Sequence, residues 1–115
     1  MNEDVKRQWV AALRSGEYEQ AQDGLKGGGR FCCLGVLCDL AVKAGVAEEW
    51  RDDLVVHRSI GYSEIWDGNE SSTSLPTRKV LDWAGLGRDD PPRLAGLNDS
   101  GWSFERIANL IEEEL

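Results

Sequence analysis

The residues that could do chemistry here begin with three cysteines, Cys32, Cys33 and Cys38, and a single histidine, His57. A thiol in the first turn of a helix has its thiolate favoured by the helix N-terminus, and a strand-borne imidazole can serve as its base. Cys32 or Cys33 with His57, and an acid such as Glu64, has the chain order of a Cys-His hydrolase. Against this, a Cys-Cys pair flanked by Phe31 and Leu34 suits a buried core better than an exposed nucleophile. The reading is therefore non-enzymatic, with Cys33 and His57 as the pair to test if turnover were found. Nor do the thiols read as a metal site. A closed zinc site wants four tetrahedral ligands, whereas helical Cys33 and Cys38 point roughly 140° apart at ~100° per residue. No metal and no cofactor is expected.

A second chemistry is anion binding. Lys26-Gly27-Gly28-Gly29-Arg30 precedes the cysteine segment, so flexible glycines, free N–H groups and two cations could converge on a phosphate. It is not a Walker A loop, because no Lys-Ser or Lys-Thr pair follows the last glycine. Guanidinium forks and aromatic platforms of the kind that hold nucleotides are present at Arg14, Tyr18, Arg30, Arg51, Arg58, Tyr62 and Trp66. The candidate ligand site is Arg14, Tyr18, Arg30, Arg58, Tyr62 and Trp66, taking a small phosphorylated ligand. Arg14 and Arg30 can share it only if the end of the first helix meets the start of the second. Glu17, Glu19 and Asp23 are the intramolecular alternatives for those two cations.

The elements that must position these residues follow from periodicity. Asn2 caps a first helix carrying Val5, Trp9, Ala12 and Leu13 and ending near Ser15-Gly16. The run from Phe31 to Ala44 is apolar on nearly every face and stops at Gly45, which predicts a buried helix interrupted only by Asp39 and Lys43. Asp39 must reach solvent or find a partner. Glu17 to Arg30 reads as a short edge strand and a mobile loop. Residues 54 to 66, rich in β-branched and aromatic side chains, read as one strand or two bent at Gly61. A further helix starts at Pro76 or Thr77, buries Val80, Leu81 and Ala84, and stops at Gly85. Asp89 to Pro92 reads as a loop and Leu94 to Leu97 as a short turn or strand. Ser103 caps a last helix with Phe104, Ile107, Ala108 and Ile111 in one stripe, its end frayed by Glu112 to Glu114. The expected architecture is a single α+β domain over residues 1–115. A central buried cysteine helix is surrounded by helices, with a small antiparallel sheet of two to four strands on one side.

The net charge of −8 over 115 residues repels nucleic acid and anionic membrane, so neither is an expected partner. No apolar stretch reaches the ~18 residues of a membrane span, and the acidic start of the chain is no secretory signal. Three buried, reduced thiols fit a reducing cytoplasm. Of the five tryptophans, Trp9 and Trp83 read as core, while Trp50, Trp66 and Trp102 sit in polar surroundings as candidate interface anchors. A host protein masked by an acidic, Trp-bearing surface is thus the alternative to a small ligand. Self-association belongs to the same class.

Three blocks carry a resemblance: Trp9 to Gln20, Phe31 to Leu40, and Leu97 to Phe104 running into Ile107-Ala108. Together they resemble a family of short uncharacterised proteins encoded by tailed bacteriophages and related mobile elements. The resemblance implies an accessory protein acting in the cytoplasm of a bacterial host, in host interaction or counter-defence. It implies no catalytic residues.

Overall fold

A computed structural model describes the backbone of residues 1–57 and 60–115 and their side chains outside 52–62. Among the described residues it is an α+β fold of five helices and a small antiparallel sheet. Helix α1 (Glu3–Arg14) begins where Asn2 Oδ1 accepts the N–H groups of Asp4 and Val5 at 2.9 and 3.1 Å. It buries Val5, Trp9, Val10 and Leu13. Two-residue strands β1 (Lys26–Gly27) and β2 (Arg30–Phe31) then form a hairpin. Its turn is Gly28-Gly29, with φ of 58° and 77°, the left-handed pair that a two-residue hairpin of this hand requires. The glycine run therefore closes a tight hairpin, not a mobile loop.

Helix α2 (Cys33–Lys43) is the buried cysteine helix, with every residue from Cys33 to Cys38 removed from solvent. It starts later than its apolar run predicts. Phe31 is still in strand β2, and the Cys32 N–H pairs with the Leu25 carbonyl at 3.1 Å, so Cys32 is the N-cap, its Sγ accepting the Gly35 N–H. A Cβ at Gly35 would lie 1.8 Å from the Leu25 carbonyl oxygen, so glycine is what lets α2 lie against that backbone.

Strands β3 (Glu49–His57) and β4 (Ile60–Trp66) pair in antiparallel, and β5 (Ser71–Ser72) adds to β4. The order is β2-β1-β4-β3 with β5 beside β4. The hairpin starts five residues earlier than expected, and Gly61 lies inside β4 instead of at the bend. Burial alternates along β4, with Ser63 and Ile65 inward and Glu64 and Trp66 less covered. Buried Asp67 organises the next turn by accepting the N–H groups of Asn69 and Glu70.

Helix α3 (Arg78–Ala84) runs from Thr77 to a left-handed Gly85, as its signals predict, although Leu81 is only half-buried. Helix α4 (Asp90–Asp99) corrects the loop and strand expected there. Pro91 and Pro92 fall in its first turn, where no N–H is needed and the fixed φ suits a helix. Helix α5 (Phe104–Glu114) packs on α1 through Phe104, Ile107, Ala108 and Ile111. Where a frayed acidic end is expected, the helix continues through Glu114, with Glu112 paired to Arg14 and Glu114 to Arg93 at 3.0 and 3.2 Å. The buried side chains form one cluster around α2, with Trp9 fully inside and Trp83 half-buried against it.

Candidate functional site

Around Cys33 each polar group is committed. The thiol is fully buried and directed at the Leu94 carbonyl oxygen at 3.6 Å. Its N–H donates to Asn98 Oδ1 at 3.1 Å, and its carbonyl accepts Trp9 Nε1–H at 2.9 Å. Asn98, itself fully buried, also accepts from Gln20 and donates to the Ala21 carbonyl, so one side chain ties the loop after α1 and the helix α4 to the start of α2. Burial pushes the Cys33 and Cys38 thiols well above the usual range. A nucleophilic cysteine needs the reverse shift. His57 ends β3 opposite Ile60 in the register; its side chain, that of Tyr62 and the whole of Arg58 lie outside the described residues. Among the described residues, no group of three or more His, Cys, Asp or Glu side chains could hold a metal.

The exposed end of α2 holds a second network. Asp39, largely covered, accepts the Tyr18 hydroxyl at 2.6 Å and Trp50 Nε1–H at 3.1 Å and pairs with Lys43 at 3.2 Å. Burial pushes the Asp39 carboxyl up, but these donors together outweigh it and hold it below the ordinary carboxylate value. Tyr18 is pushed up, by burial first and by its bond to Asp39 second. Its ring meets Phe31 edge-on, Phe31 meets Trp50 in the same way, and Lys26 stands 5.2 Å from the Trp50 ring centre. Lys26 is thus drawn to one side of the hairpin, while Arg30, the next register position, pairs with Glu19 at 3.3 Å. The two cations flanking the glycines are held by different partners.

Arg14 is placed elsewhere again. It pairs with Glu112, hydrogen-bonds Asn109 at 2.6 Å and lies 3.6 Å from Glu105, all on α5. The Glu112 hydrogen bond raises its already high pKa. With Lys6, Arg7 and Val10 of α1 and Glu3 and Glu112 beside them, it lines a groove of about 380 Å³. Arg14, Tyr18 and Arg30 therefore have separate intramolecular partners instead of a shared one. The sheet does bring Arg30 and Tyr62 into one register row, on either side of Gly27.

Trp66 belongs to a further group that strand pairing assembles. Glu49 lies opposite Trp66 and Arg51 opposite Glu64, so the four side chains share the face away from buried Ile65. Arg51 stacks on the Trp66 ring at 4.1 Å from its centre and reaches Glu49 and Glu64 at 3.3 and 3.9 Å. The Trp66 indole N–H donates to Glu48 at 3.0 Å. The result is a tryptophan set among three carboxylates and one guanidinium. Glu48 and Glu49 are absent from the residues singled out by type; their signal was the period of two that sets Glu49 and Arg51 on one face of a strand. The other two candidate anchors are also partnered, Trp50 donating to Asp39 and Trp102 lying under Arg106 at 3.8 Å, but neither stands among several carboxylates as Trp66 does.

No curated protein and no solved structure matches the chain. Residues 1–115 match the family described as a domain of unknown function (DUF8296), and the chain belongs to that family.

Proposed function

We propose that this chain is a non-enzymatic accessory protein of the phage type, working in a bacterial cytoplasm by docking a basic surface of a host protein onto the Trp66 face of its sheet. The observation that carries this reading is the Trp66, Arg51, Glu48, Glu49 and Glu64 group. Tryptophan and arginine are the residues that dominate interface energetics, and the three carboxylates around them select a cationic partner and repel acidic ones. The chain's charge of −8 adds long-range attraction for such a partner. A buried, protonated Cys33 favours binding over turnover. The resemblance to phage-encoded proteins supports the setting.

The test is quantitative capture of host proteins by the wild type, by Trp66→Ala and by Glu49→Lys/Glu64→Lys. A basic protein held by the wild type should lose roughly 30-fold or more in affinity with Trp66→Ala. Its association should also slow steeply as salt is raised. A partner retained equally by all three proteins would refute the reading. A second reading, a small phosphorylated ligand of nucleotide type, is favoured by the α1 groove, where Lys6, Arg7 and Arg14 gather. Nucleotides that raise the melting temperature of the wild type and not of Lys6→Gln/Arg7→Gln would put that reading first. A flat screen would remove it.

A further inference from the structure

In a chain with an excess of acids, cations left without a partner are informative. Among the described lysines and arginines, only the side chains of Lys6, Arg78 and Arg88 make no ion pair, hydrogen bond or ring contact. Two of the three line the same cleft, of about 220 Å³, whose remaining walls are Leu81, Leu86 and Asp82.

Local backbone chemistry builds this cleft. Gly85, at φ 69°, ends α3 in the left-handed conformation, its N–H bonding to the Asp82 carbonyl at 3.2 Å while the Leu86 N–H reaches back to Leu81 at 3.1 Å. This paired closure sets the residue after the glycine beside the last turn of the helix, which makes Leu81 and Leu86 a joint apolar floor. Asp90 accepts the Gly87 N–H at 3.2 Å and ties the following loop, with Arg88, to α4. Arg78 and Asp82 are four apart on α3 but unpaired, in the order that is the weaker one for such pairs. The guanidinium groups stay open at the rim of an apolar floor.

We propose that this cleft binds a small apolar carboxylate. Two arginines and one aspartate leave one net positive charge, which matches a monoanion better than a phosphate dianion. Arginine presents the planar fork that a carboxylate fills. The volume is below the ~300 Å³ at which sites for drug-sized ligands begin, so it takes an end group and not a nucleotide. Two sources share this chemistry, a free short-chain acid and the C-terminus of a peptide ending in an apolar residue. The site is separate from the Trp66 face, and either stands if the other fails.

Amide NMR titration of the intact chain tests it with hexanoate, 1-hexanol, inorganic phosphate, and acetyl-Gly-Gly-Leu as acid and as amide. Hexanoate should give saturable shifts confined to residues 78–90 and 1-hexanol none. Arg78→Gln/Arg88→Gln, or Arg88→Gln alone if the double variant melts early, should weaken binding about tenfold. A tripeptide acid that binds more tightly than hexanoate, with its amide silent, assigns the peptide source; a tripeptide no tighter than hexanoate assigns the free acid. No saturation by about 20 mM hexanoate, equal binding by the variants, equal shifts from 1-hexanol, or tighter binding of phosphate would each overturn the proposal.

Discussion

The start of α2 and the outer face of the β3–β4 hairpin use polar groups in opposite ways. At α2, Asn98, Gln20, Trp9 and the Cys33 backbone satisfy one another in the interior, where an unmade bond costs the full desolvation of its partner. On the hairpin, Glu48, Glu49, Arg51 and Glu64 surround a tryptophan at the surface, where ion pairs contribute little to stability. Substitutions should therefore separate cleanly. Those at α2 should cost stability, and those on the hairpin should cost the proposed docking.

The largest effect is expected at Gly35. With Leu25 backbone 1.8 Å from where a Cβ would stand, Gly35→Ala should destabilise by more than about 4 kcal/mol or abolish folding, read by urea unfolding. Asn98→Ala should follow at about 2–4 kcal/mol, because the Cys33 N–H is left unpaired in the interior and the half-buried Ala21 carbonyl loses its donor. Cys38→Ser should cost about 1–3 kcal/mol and Cys38→Ala less, and rapid labelling of the native thiols would contradict their burial. Trp66→Ala should lie within about 1 kcal/mol of the wild type in stability. A stability loss there as large as at Asn98 would erase the contrast.

The pH dependence sharpens the same contrast. Asp39 and Asp67 are held below the ordinary carboxylate value, burial raising each while donated hydrogen bonds outweigh it. Their contribution is present above the unfolded pKa of about 3.9 and is lost as the pH falls through the lower folded values. The buried thiols are shifted up, so their contribution is complete below the unfolded thiol pKa of about 8.5 and is lost as the pH rises beyond it. Asp39→Asn should shrink the acid limb and Cys33→Ala/Cys38→Ala the alkaline one.

What was legible before folding was what repeats locally. The apolar periods of α1, α2 and α5, the Asn2 and Ser103 caps and the Gly85 stop all stand where residue type puts them. Helix α4 was hidden because Pro91 and Pro92 disqualify a helix interior but not its first turn. The Trp66 face was hidden for a different reason. Which residues stand beside Trp66 depends on β3 beginning at Glu49, inside a passage that reads as polar, and on a register that only pairing with β4 sets. The partner of Asp39 was foreseeable as a need, but Tyr18 and Trp50 reach it from 21 and 11 residues away. Residue type suggests one anion shared by Arg14 and Arg30, with Glu19 among the alternatives; α5 supplies the first with Glu112 and the loop before β1 supplies the second with Glu19.

The most direct test of the central claim is backbone hydrogen exchange on the chain alone and saturated with its captured basic host protein. Docking on the sheet face predicts new protection confined to residues 48–51 and 63–72, with α1, α2 and α5 exchanging as in the free protein. Protection centred on α1 and α5, or none on β3 and β4, would contradict it.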